Sequence, residues 1–405
     1  MFNKYAIKCK NFIDQRTCKK NINISNIKFI ESIKRSIQKT DIDYDYKLIS
    51  SKITQILQKN DLPLIYQIYK KHFNNKMSFK QFYEWYKVNQ IDLPSIVKYV
   101  DRKIHPSLLN MLYDNPFIPL KIVRFAEINS LIFDHITFQN LTINLFYTET
   151  KYRPNIDRII HICQFVSDIF NKKLRLKLTI LCAPNKKKLS HKYDYLLPDN
   201  CNTGSTLKGK FINLWRVEEI DKVLIHELIH YLYVDSYFLK NSLTFDKYVQ
   251  KEYNIKGNSY TYECITEILA IIIHSVYISL KTKIILDRII GYETNFSMFQ
   301  TAKILSFFNF KSFDDIKTGE IKQKVGALSY YILKSSLLSS IDSTLDYIEN
   351  IKKNNETTYF VTLLKKTMND SKFIDCINYY MDRYKNNQKH NFIWNTMRMS
   401  CLQLI

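Results

Sequence analysis

Val223-Leu224-Ile225-His226-Glu227-Leu228-Ile229-His230-Tyr231-Leu232 is the stretch on which the reading of this 405-residue chain turns. Apolar and aromatic side chains surround two histidines and one glutamate, and no other charged residue occurs between Val223 and Val234. A helix that is apolar on every side belongs in a core. Glu218, Glu219 and Asp221 precede the run and suit the positive end of a helix dipole, so a helix is expected over 217–236. Residues four apart share a helix face, which lets His226 and His230 aim their imidazoles at one point. Glu227 projects about 100° round the axis from His226, where it can reach a water without being a ligand. Zinc takes imidazole nitrogen at about 2.0–2.1 Å, and buried histidines need partners. The bland alternative is a pair of satisfied core histidines beside a salt-bridged glutamate.

A catalytic zinc needs a third protein ligand and an open position. The continuation HExxHxxGxxH is absent, because position 233 is Tyr and position 236 is Ser. Glu263 lies 263 − 230 = 33 residues downstream, in Tyr262-Glu263-Cys264-Ile265-Thr266-Glu267. Glu263 and Glu267 are four apart on one face of a second apolar helix, expected from Thr261 to Leu280. One carboxylate can bind the metal while the other holds a ligand histidine by its far nitrogen. Alternatively the two glutamates simply meet a lysine or arginine. His274 falls on the same stripe, but about three turns further on, and reads as a core histidine.

Outward from these helices the chain reads as an α+β arrangement with its strands in the middle third. Three regions are expected: a helical, basic N-terminal domain over 1–130, a catalytic domain over 131–300, and a helical C-terminal subdomain over 301–405. In the first, Ile27, Phe29, Ile30, Ile33 and Ile37 recur at helical spacing. Ile136 to Tyr147 is β-branched and aromatic and reads as one or two strands. A helix over 155–171 follows, then a strand from Leu174 to Leu181, a polar loop from Ala183 to about Lys208, and a strand over Phe211 to Arg216. Further helices are expected over 324–338 and 345–353.

Only 6 glycines occur, and no GxGxxG or Walker-type run exists, which speaks against nucleotide chemistry of those kinds. The net charge of +22 has two readings. One is an acidic partner, such as nucleic acid, for the basic N-terminal region. The other is AT-rich coding, as in a large DNA virus, since Lys, Asn, Ile, Tyr and Phe are all abundant. Eight cysteines show no CxxC or ribbon spacing, so reduced thiols in an intracellular, cytoplasmic setting are expected. No transmembrane segment is expected, because Ile265 to Leu280 carries Glu267 and His274 and is short for a bilayer.

The pattern HExxH, with a glutamate on a later helix inside an ExxxE run, resembles the gluzincin zinc metallopeptidases, the group of thermolysin and the zinc aminopeptidases. The resemblance covers roughly residues 135–340. It implies a zincin-like catalytic core with a small sheet and an active-site helix, flanked by helical parts. It further implies His226, His230 and Glu263 as zinc ligands, Glu227 as general base, Glu267 behind a ligand, and a peptide or protein substrate. The strand over 211–216 takes the place of that group's substrate-binding edge strand. Aminopeptidases carry a tyrosine three residues before a KG pair; here Gln323 stands nearest that place, with Tyr330 and Tyr331 close by. The competing reading is a basic nucleic-acid- or partner-binding protein whose zinc site is structural or inactive.

Overall fold

The computed structural model describes residues 50–51, 106–113, 115–189, 194–350, 356–386 and 392–402. Most of the helical expectations for residues 1–130 lie outside these. A mixed sheet forms from β1 (Ser50–Ser51), β2 (Ile132–Phe138), β3 (Leu141–Tyr147), β4 (Leu176–Leu181), β5 (Gly204–Leu207) and β6 (Phe211–Leu214). Its order is β1-β2-β3-β4-β6-β5, with β3, β4 and β6 parallel and the flanking pairs antiparallel. The fold is therefore α+β. Leu178 and Ile180 of β4 are buried beside Thr179, as a central strand covered on both faces requires.

Helices α1 (Pro106–Tyr113) and α2 (Leu120–Ile128) cover one side of the sheet. Leu108, Met111 and Ile122 pack there with Phe146, Leu181 and Trp215. On the other side lie α3 (Ile156–Ile169) and α4 (Ile220–Tyr231), the helix of the HELIH run. Asn155 caps α3 by accepting from the Arg158 N–H at 2.9 Å. Every residue of α4 is buried. Behind it come α5 (Ser236–Glu252), α6 (Tyr262–Thr282) and α7 (Leu286–Phe307). A π-helical turn, Leu328–Leu333, runs into α8 (Lys334–Ser339), followed by α9 (Ile341–Asn350), α10 (Glu356–Met368) and α11 (Ser371–Asn386). One continuous core joins Ile136 of β2 to Leu402.

Two expected elements need correction. The helix expected over 217–236 ends at Tyr231 in a Schellman motif. Val234 N–H donates to Ile229 O at 3.0 Å and Tyr233 N–H to His230 O at 3.0 Å. The left-handed position that usually holds glycine is Tyr233, with φ 57°, so composition gave no stop signal. The loop expected over 183–208 contains β5, which turns back through Gly209 (φ 67°) into β6. Phe211–Leu214 thus lies inside the sheet, between β4 and β5, and β5 is the edge strand.

Helix α6 is apolar and long enough to cross a membrane by composition, yet 89% of its apolar window is buried inside the protein. Among the described residues, Cys163, Cys182, Cys201, Cys264 and Cys401 are buried thiols that form no disulfide.

Candidate metal centre and cleft

Antiparallel packing of α4 on α6 brings the four expected residues together. His226 Nε2 lies 3.0 Å from His230 Nε2, and Glu263 Oε2 lies 3.3 Å from the first and 3.4 Å from the second. All three side chains are buried. The far nitrogens identify the tautomers. His230 Nδ1 sits 2.8 Å from Asp235 Oδ2, and His226 Nδ1 sits 2.8 Å from Glu267 Oε1, although the second contact is poorly aligned for a hydrogen bond. In the neutral tautomers that carry the proton on Nδ1, both Nε2 lone pairs face one another and a carboxylate oxygen.

Three converging lone pairs repel unless a cation lies among them. Glu263 Oε2 has no hydrogen-bond partner, which a buried carboxylate oxygen does not tolerate without compensation. Tetrahedral ligands at 2.0–2.1 Å stand roughly 3.3–3.4 Å apart, close to the spacing here. The donor set, two imidazoles and a carboxylate with one side open to a cleft, could hold a metal ion with one position left free.

Electrostatics agree. Burial opposes charge on His230, but Glu263 and Asp235 outweigh it and hold its pKa well above the ordinary value. His226 is held up likewise by Glu267 and Glu263 against burial. Burial alone would raise Glu263, yet His230 and His226 pull its carboxyl below the usual range. The pocket is thus organised around a positive charge, which protons supply where a metal does not.

Glu227 is not among the three. Its Oε2 accepts from the Thr206 hydroxyl at 2.6 Å, and burial pushes its carboxyl up. Gly204 lies against it: a methyl there would stand 2.6 Å from Glu227 Oε1. The β5 strand therefore shapes the space for this side chain. Trp215 N–H donates to Thr203 O at 3.0 Å, so alternation directs the main-chain groups of Gly204 and Thr206 away from β6. Among the described residues they form an unpaired edge beside the site.

A cavity of about 210 Å³ joins these parts, lined by Phe117, Gly204, Thr206, Glu227, the three converging residues and Tyr330. The π turn places Tyr330 in the cleft and Tyr331 in the core. Tyr331 donates its hydroxyl to Met397 O at 2.6 Å, so it faces away from the site. Burial holds the Tyr330 hydroxyl well above its ordinary pKa, keeping it protonated. Gln323 takes no part: it ties Asn258 O to the Leu328 N–H, at 2.6 and 2.8 Å. His274 is buried 2% exposed and shares no ligand contact with Glu263, in keeping with a core position.

Glu267 combines two expectations. It pairs with Lys222 through both oxygens and also reaches His226. Sequence reasoning missed Asp235, Lys208, Gly204, Thr206 and Lys222. Asp235 receives Lys208 Nζ at 2.8 Å on each oxygen while it orients His230. The available signal was its position five residues after His230, closing the uncharged run. For Gly204 the signal was rarity, as one of 6 glycines. Glu219 stands at the N-cap of α4 but makes no side-chain cap bond; the Glu218 and Glu219 carboxylates accept from the chain near residues 187 and 396–400 instead.

The chain is similar to an uncharacterized protein of Acanthamoeba polyphaga mimivirus, with 24% identity over 209 residues, 47% of this chain and 53% of that protein. It thus spans about half the length of the curated relative it matches. No family model matches the chain, and no solved structure matches it.

Proposed function

We propose that this chain is a zinc-dependent peptidase of the gluzincin type, hydrolysing peptide bonds in a peptide or protein substrate. One observation carries the reading: the Nε2 atoms of two imidazoles and a carboxylate oxygen without a hydrogen-bond partner converge within 3.4 Å beside a separate, buried glutamate. His226, His230 and Glu263 would hold the zinc. When bound there, zinc supplies Lewis acidity toward a carbonyl and toward water. Glu227 takes the proton from the attacking water and hands it to the leaving amine. Thr206 holds one oxygen of Glu227 in place, leaving the other for that exchange. The substrate backbone pairs with the free edge of β5, at Gly204 and Thr206, rather than with 211–216. Tyr330, protonated and facing the cleft, is the oxyanion donor.

The likeness to a giant-virus protein and the AT-rich composition support a viral origin and action in the host cytoplasm or the virion. The test is zinc per chain and cleavage of a peptide library by wild type, His226→Ala and Glu227→Gln. About one zinc in wild type and in Glu227→Gln, none in His226→Ala, and cleavage by wild type alone are expected. Zinc in none of them would overturn the reading in favour of a basic nucleic-acid- or partner-binding protein.

A further inference from the structure

The segment Thr396–Leu402 is buried along its whole length without belonging to a helix or to the sheet. A buried backbone must find hydrogen bonds somewhere. Here side chains supply most of them. Met399 and Ser400 donate their N–H groups to Glu219 Oε1 at 2.8 and 2.6 Å, and Cys401 donates to Glu293 Oε2 at 3.3 Å. Tyr331 donates to Met397 O at 2.6 Å, Gln300 to Arg398 O at 2.6 Å, and Lys334 to Met399 O at 3.1 Å. Five buried polar side chains, Glu219, Glu293, Gln300, Tyr331 and Lys334, would be left without these partners if the strap withdrew, which is costly for each.

The strap also touches the metal centre through two intermediaries. Glu219 is the residue before α4 and holds a left-handed backbone, φ 60°, that a non-glycine residue adopts at a cost. The strap's two N–H groups grip its carboxylate there. One turn into α4, Lys222 Nζ lies 3.7 Å from Met399 Sδ and pairs with Glu267. Glu267 in turn lies 2.8 Å from His226 Nδ1. Lys334, which holds Met399 O, is drawn by the charge of Glu267 against the burial that lowers its pKa. Met399 itself lines the cavity that holds the ligands.

We infer that the strap 396–402 is a positioning element of the metal centre, so that strap docking and metal binding strengthen one another. This rests on the metal-binding part of the reading above and is independent of peptide cleavage. Coupling of this kind is reciprocal by thermodynamic necessity. In the full-length protein, amide hydrogen exchange is followed with zinc and with chelator alone. Zinc should slow exchange at 397–402 about tenfold more than at the β4 amides of Leu178 and Ile180. In parallel, Glu293→Gln, which replaces the carboxylate that accepts from Ser400 and Cys401 and is not among the proposed ligands, should weaken zinc binding about tenfold in chelator competition. Equal slowing at the strap and at β4 would overturn the inference, because a strap that opens only with the whole protein gains nothing of its own. Wild-type zinc affinity in a folded Glu293→Gln would overturn it too. Were that variant to unfold, the wild-type exchange comparison decides alone. Zinc binding with no peptide cleavage would sink the peptidase proposal and leave this one standing.

Discussion

Gly204 shows how tightly the site is drawn at the scale of one residue. A methyl there would stand 2.6 Å from Glu227 Oε1 and 2.9 Å from Leu214 Cδ2, too close on both sides. Gly204→Ala should therefore displace Glu227 and lower kcat/KM about a hundredfold, since a shift of about 1 Å in a catalytic group has that effect. Zinc stoichiometry should be unchanged, which separates this variant from loss of the metal; undiminished turnover would refute the role of Glu227. Asp235 acts on the ligand itself. Asp235→Asn replaces the charged acceptor beside His230 Nδ1 with a neutral amide, which weakens its hold on the ring and can present an NH2 group instead. Zinc affinity should fall about 10- to 100-fold, as for other partners of ligand histidines, measured by chelator competition.

At the scale of elements, α4 carries its chemistry because its neighbours are set against it on every side. The first turn contains Asp221, buried 4% exposed, whose carboxyl burial pushes up to about 6 despite Arg158 at 3.2 Å. Its pKa in the unfolded chain is the ordinary 3.8, so between these values the folded protein binds the extra proton. Stability from this group is complete below pH 3.8 and is lost as pH rises through about 6. Two units correspond to on the order of 3 kcal/mol. Denaturant titrations of metal-free wild type and Asp221→Asn at pH 4 to 7 should show the wild type losing ground to the variant as pH rises. Parallel curves would mean that Arg158 neutralises the carboxylate fully.

For the molecule as a whole, the proposed metal centre would link the sheet side of the core, through α4, to the helical side, through α6. Metal binding should thus stabilise the described body as a unit. At zinc a hundredfold above Kd the gain is about 2.7 kcal/mol, or roughly 4–5 °C in Tm for a body of this size. His226→Ala should show no zinc-dependent shift in calorimetry. A full shift in that variant would place the stabilising ion elsewhere.

The sequence by itself determined the buried α4 and α6, the shared face of His226 and His230, the candidacy of Glu263 and the α+β order, because these rest on local periodicity, on spacing along single helices and on the resemblance carried by the HExxH and ExxxE runs. Even the double reading of Glu267 was legible, since a glutamate in an apolar helix must meet either a cation or a histidine. Only the tertiary structure decided which strand lies at the edge, because β5 has four residues, little apolar patterning and a glycine. It alone showed that Tyr233 takes the left-handed stop of α4, held by its hydroxyl on Lys208 O at 3.1 Å. The same holds for Asp235, Lys208 and Thr206 beside the ligands, and for the strap at 396–402. Those contacts join residues far apart in the chain, or lie where the chain turns, and no periodicity records them. Charge and spacing chose the ligands; packing chose what holds them.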